Sequence, residues 1–128
     1  MDIFMLTLVA AAISTCLHLS AVDGDTIKCD GQNMRLLGPG QPNKSGVDAP
    51  EIGHAKCTAE KFLGQQAKRR LEELLREDVR IELSGVKDRY GRPLVWVRMP
   101  NGKDVGEVLL EEGYALPWRP GHAISWCD

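Results

Sequence analysis

The sequence has no surplus of charge of either sign: sixteen Lys and Arg against eighteen Asp and Glu leave a formal net charge of −2. Proteins that hold nucleic acid through a broad positive field are ordinarily basic. Any polyanion bound here must therefore be gripped locally, which counts against a high-affinity binding module more than against an enzyme that releases its product. Zinc-ligand spacing is missing too. Cys16, Cys29, Cys57 and Cys127 form no C-x-x-C pair, and His18, His54 and His122 stand too far apart for a ligand cluster or a triad. No Ser or Cys sits in a nucleophile elbow, which argues against covalent hydrolysis. The longest apolar run, residues 3–9 broken only by Thr7, is too short to span a bilayer.

With 128 residues, 43% of them hydrophobic, the chain can build one compact domain around one core. The apolar run is followed by Ala10, Ala11 and Ala12, a small-residue pattern expected of a signal peptide over residues 1–14, cleaved after Ala12 or Ser14. The mature domain would then cover residues 15–128 and be secreted or periplasmic, with no membrane attachment. Four cysteines suit an oxidising compartment and two disulfides, for which three pairings exist. Convergence of the segments around Cys29 and Cys57 would pair those two and leave Cys16 for Cys127.

Hydrophobic patterning gives strands over 17–22, 26–29 and 32–37, with Asp30-Gly31 as the hairpin turn between the second and third. A loop follows, because residues 38–46 hold three Gly and two Pro without apolar periodicity. A helix is expected over 58–76, capped by Thr58, with Phe62, Leu63, Ala67, Leu71, Leu74 and Leu75 on its apolar face. Lys68, Arg69 and Arg70 lie on its polar face as a solvated, salt-bridged surface. Strands over 79–83 and 94–97 come next, Trp96 being a core residue, and then a short helix over 105–112 opened by Asp104 with Glu107 and ended by Gly113. The tail after Tyr114 is irregular and pinned by Cys127. This order is α+β, mainly β: a five-stranded OB-fold barrel with a long helix between strands three and four and a short second helix.

The chemistry is concentrated in residues 22–51. Asp23 and Asp25 flank Gly24 at a strand start, Arg35 opens an apolar strand, and Asp48, Ala49, Pro50 and Glu51 lie on a loop, since Pro50 drives Ala49 out of helical conformations. Carboxylates and a backbone carbonyl are the oxygen donors that Ca²⁺ prefers. Asp25 and Asp48 supply two carboxylates and Ala49 a carbonyl, while Asp23 reads as a turn residue. Attack of water on a phosphodiester needs a base and a clamp. Glu51, three positions past Asp48, can hold the water, and Arg35 and Arg92 supply planar forks for phosphate oxygens.

The strings D-G-D-T, R-L-L-G, D-A-P-E, D-R-Y-G-R and G-E-V-L-L-E-E-G-Y-A occur in this order. Together, over about residues 17–118, the chain resembles the thermonuclease family of staphylococcal-nuclease-like domains. The resemblance implies a Ca²⁺-dependent endonuclease, a phosphodiesterase that cleaves DNA and RNA to 3′-phosphorylated products on an OB-fold barrel. It implies one Ca²⁺ held by Asp25, Asp48 and the Ala49 carbonyl, Glu51 as general base, and Arg35 and Arg92 on the phosphate. Tyr90 falls where the family lines its nucleotide pocket, and Trp118-Arg119 stands at a second pocket tyrosine. Relative to the family pattern, residues 39–46 form an inserted loop, expected to bulge outward and leave the site intact. A monomer is expected. The competing expectations are a barrel that binds nucleic acid without turnover, and a secreted structural or inhibitor-like domain.

Overall fold

The computed structural model describes residues 12–128. Eight strands and two helices follow one another as β1 (Ala12–Ser14), β2 (Leu19–Asp23), β3 (Thr26–Cys29), β4 (Gln32–Leu36), β5 (Gly46–Asp48), α1 (Thr58–Leu74), β6 (Arg80–Lys87), β7 (Pro93–Arg98), α2 (Val105–Glu111) and β8 (Leu116–Trp118). Six strands form one mixed sheet in the order β1-β6-β7-β4-β3-β2. Every pairing is antiparallel except that of β4 with β7, where Arg35 lies opposite Leu94 and Leu36 opposite Val95. The two edges, β1 and β2, belong to one stretch of chain interrupted at residues 15–18, so that stretch closes the sheet on itself. Taken as one bent strand, β1 and β2 make five barrel strands, and α1 falls between the third and fourth. The expected α+β, OB-like architecture is thus present, with a small β5–β8 ribbon added to it.

The closing strand lies within the expected leader. Residues 1–11 are outside the described residues, but Ala12, Ile13 and Ser14 pair with Leu83, Glu82 and Ile81 of β6. Cleavage after Ser14 would remove that register.

Both disulfide pairings differ from expectation. Cys16 bonds Cys29, and Cys57 bonds Cys127. The first follows from antiparallel register: Leu19 lies opposite Cys29, Asp30 N–H donates to the His18 carbonyl at 2.9 Å, and the chain just before β2 therefore passes the end of β3. Cys16 and Cys29 end with Cα atoms 5.3 Å apart, well within bridging reach. The second bridge ties the irregular tail to the start of α1.

The core gathers inward residues of every barrel strand, Ile27, Met34, Leu36, Ile81, Val95 and Val97 among them, under Ala67, Leu71 and Leu74 of α1 and Val105 and Leu109 of α2. Three readings of α1 need correction. Its N-cap is Cys57 rather than Thr58, the sulfur accepting from Glu60 N–H at 3.4 Å. Phe62 and Leu63 are exposed, at 56% and 37%. The inward face runs instead through Glu60, Gly64, Ala67, Leu71 and Leu74, a stripe at intervals of three and four that includes a charge and a glycine. Near the start of this helix Gly64 faces the Pro50 and Glu51 carbonyls and Glu60 accepts from the Glu51 and Lys56 N–H groups, a contact that small or hydrogen-bonding residues suit. Arg70 does form the expected ion pairs, to Glu73 and, by two nitrogens at 2.7 and 2.9 Å, to Glu112 just beyond α2.

Trp96 is only half-buried. Its indole N–H donates to the Gly40 carbonyl at 3.1 Å and anchors the inserted loop. That loop closes on itself, Lys44 and Ser45 N–H donating to the Gln41 carbonyl at 3.0 Å.

Candidate metal and phosphate site

Two close approaches bring the acidic segments together. A Cβ on Gly24 would stand 2.5 Å from Ala67 Cβ and 2.8 Å from Ala49 Cβ, so the D-G-D-T turn sits between α1 and the D-A-P-E loop only because that position is glycine. A Cβ on Gly64 would meet the Pro50 and Glu51 carbonyl oxygens at 2.8 and 2.9 Å. These contacts place Asp23, Asp25 and Glu51 with carboxylate oxygens within 4.8 Å of one another, a group that could hold a metal ion. Asp23, read from sequence as a turn residue, is one of the three.

Asp25 and Asp48 have identified side-chain partners. Asp25 is 2% exposed; its Oδ1 accepts from the Thr26 hydroxyl at 3.0 Å, and its Oδ2 accepts from Ala49 N–H at 2.9 Å. Ala49 is itself buried, so the loop bearing Glu51 is pinned directly to Asp25. Asp48 lies outside that trio and meets Asp25 at the Arg35 guanidinium. Its Oδ1 lies 3.5 Å from Arg35 Nη2, and its Oδ2 accepts from the Trp126 indole at 3.3 Å. Burial pushes the carboxyl groups of Asp23, Asp48 and Glu51 above their ordinary range. Asp25 adds to the rise at Asp23 and Asp48, and Asp23, Asp25 and Asp48 all add to it at Glu51. Such crowding of like charge is common at functional sites.

A residue not singled out from sequence holds Glu51 in place. Glu60, buried in the first turn of α1, accepts from Glu51 N–H through Oε2 and from Lys56 N–H through Oε1, both at 2.9 Å. These two bonds hold its carboxyl below the usual range. Its one sequence signal is an acid in the first turn of the helix, which suits the helix dipole.

Arg35 links the acids to a pocket. Its Nη2 donates to the Val47 carbonyl at 2.9 Å and lies 3.3 Å from Asp25 Oδ2. The adjoining cavity, about 540 Å³, is lined by Arg35, Asp48, Arg92, Tyr90 and Trp118 among others. Asp88 staples the D-R-Y-G-R turn: Oδ1 accepts from Tyr90 and Arg92 N–H, both at 2.9 Å, and Oδ2 from Arg92 Nε at 2.7 Å. Tyr90 is 68% exposed and carries the Arg89 and Arg92 guanidinium carbons 5.0 and 5.4 Å from its ring centre. Arg119 is exposed and takes no part in the lining. The inserted loop contributes Asn43 and Ser45 to the wall and does not fill the cavity.

A small closed β-barrel with carboxylates clustered beside a pocket lined by arginines defines a nuclease-type or nucleic-acid-binding module. Residues 44–122 match the family described as staphylococcal nuclease homologue, and the chain belongs to that family. Over 103 residues it is 33% identical to the succinoglycan biosynthesis protein ExoI of Rhizobium meliloti (strain 1021), an alignment covering 76% of this chain and 49% of that protein. The chain thus spans about half the length of the curated relative it matches.

Gly64→Ala tests the packing under Glu51. Helix propensity alone would raise stability by ~1 kcal/mol. The added methyl must instead displace the Pro50–Glu51 backbone, so stability is expected to stay level or fall. Thermal melts read this directly, and a variant stabilised by the full helix-propensity gain would contradict the contact.

Proposed function

We propose that the protein is an exported, Ca²⁺-dependent nuclease that hydrolyses phosphodiester bonds of DNA, RNA or both, acting as a monomer on its nucleic-acid substrate. The observation that carries this reading is the convergence of Asp23, Asp25 and Glu51 within 4.8 Å, joined through Arg35 to a pocket that Arg92 also lines. The donor set fits a hard divalent cation: it is all oxygen, and its crowded negative charge is of the kind a cation relieves. In this reading Asp25, Asp48 and the Ala49 carbonyl hold the ion, with Asp23 beside them. When bound, the ion would neutralise charge that develops on the phosphate.

The remaining steps belong to the chain. Glu51 orients a water and takes its proton as the water oxygen bonds to phosphorus. The 5′ oxygen departs with the bond electrons and is protonated from solvent, which leaves a 3′-phosphate. Arg35 uses only Nη2 in its protein contacts and Arg92 only Nε in its ion pair. Each therefore keeps donors for a phosphate oxygen, in a planar fork that lysine could not supply. Tyr90 and Trp118 offer ring faces to a base, and Arg119 follows Trp118 in sequence. Two disulfides support a secreted or periplasmic setting. Among the described residues no helix is long and apolar enough to cross a membrane.

Labelled single-stranded DNA and RNA, incubated with the oxidised protein and Ca²⁺ and then with a chelator, test the proposal. Cleavage that stops on chelation is expected. Retention of the strand without cleavage would shift the reading to a binding module.

A further inference from the structure

The tail supplies a group that nothing above uses. Trp126 is half-buried, and its indole N–H donates to Asp48 Oδ2 at 3.3 Å across 78 positions of sequence. Its neighbour Cys127 is bonded to Cys57, the N-cap of α1, with Cα atoms 6.0 Å apart. From the same cap, Glu60 lies three residues on and holds the Glu51 backbone. One bridge therefore ties together the loop bearing Glu51 and the indole that touches Asp48.

Asp48 needs such a partner. Its backbone is set by the β5–β8 ribbon, where it lies opposite Leu116, but its side chain is 27% exposed and its two hydrogen-bond partners are the indole and Arg35. The Arg35 contact on the other oxygen is long, at 3.5 Å, and comes from a nitrogen already donating to Val47. An indole N–H donates and cannot accept, so it orients a carboxylate without competing for a cation.

We infer that Trp126 is a positioning residue for metal binding: held by the Cys57–Cys127 bridge, it fixes the orientation of the Asp48 carboxylate toward the cation. The inference rests on the proposed metal reading. Groups hydrogen-bonded behind a metal ligand typically govern affinity by roughly ten- to a hundredfold.

Trp126→Phe keeps an aromatic ring of similar packing and removes the N–H. Calorimetric titration of the full oxidised chain with Ca²⁺ alone should show affinity weakened about tenfold, with the thermal midpoint of the Ca²⁺-free protein unchanged. Tryptophan emission should change on Ca²⁺ addition in the wild type. That change should persist in Trp96→Phe and be reduced in Trp126→Phe, Trp118 of the pocket wall remaining. Equal Ca²⁺ affinity in the wild type and Trp126→Phe would overturn the inference and leave the metal reading standing. Failure of the wild type to bind Ca²⁺ would overturn both. An affinity loss matched by an equal loss of thermal stability would also overturn it, since Trp126 would then act through packing.

Discussion

Replacing Glu51 by Gln is expected to lower phosphodiester hydrolysis by roughly two to four powers of ten, the range a positioned general base contributes. Fold and Ca²⁺ binding should survive. The amide has the shape of the carboxylate, and the contact that fixes this residue is its backbone N–H donating to Glu60, which the substitution leaves alone. Initial rates at saturating substrate and Ca²⁺, beside calorimetry and circular dichroism, separate the outcomes. Equal rates would remove the base assignment. A variant that loses Ca²⁺ binding as well would place Glu51 among the ligands, which its position in the acidic trio allows.

The second large effect concerns stability. Cys57 and Cys127 are separated by 70 positions, and the chain-entropy model gives roughly 4 kcal/mol for closing a loop of that length. The double variant Cys57→Ser, Cys127→Ser isolates the cross-link, because serine is a preferred N-cap and can still accept from Glu60 N–H. We expect a loss of about 2–4 kcal/mol, which lowers the thermal midpoint by roughly 10 °C. Ca²⁺ affinity should fall too, since the tail bearing Trp126 is released. A melting curve that matches the wild type would show that the bridge contributes nothing to the folded state.

The residues with chemistry in their own side chains were legible because their motifs are local. Arg35, Asp48, Glu51 and Arg92 sit in short strings; Arg35, Asp48 and Arg92 line one pocket, and Glu51 lies in the acidic trio that Arg35 meets through Asp25. Residues that act on others were harder to find. Asp23 looks like any turn carboxylate until Gly24 is seen packed on Ala67 and Ala49. Glu60 looks like a helix-dipole residue until its two oxygens are seen holding Glu51 and Lys56. Trp126 lies in a segment without periodicity, so no pattern connects it with Asp48.

Helical spacing predicts a face but not what lies opposite it, which is why Phe62 and Leu63 read as core while Gly64, packed on the Pro50–Glu51 backbone, did not. Cys29 and Cys57 follow the two acidic segments in sequence, yet each bonds elsewhere. Strand register between β2 and β3 decides the first bridge, and the return of the tail to α1 decides the second. The closing strand β1 was hidden because an apolar run followed by small residues reads equally as a leader.

The dependence of hydrolysis rate on Ca²⁺ concentration tests the central claim most directly. Single-stranded DNA is cleaved by the oxidised wild-type chain while free Ca²⁺ is raised from chelator-buffered zero. A rate that climbs from background and saturates, with a midpoint matching the calorimetric affinity, is the predicted result. A rate indifferent to Ca²⁺ and to chelator would contradict it.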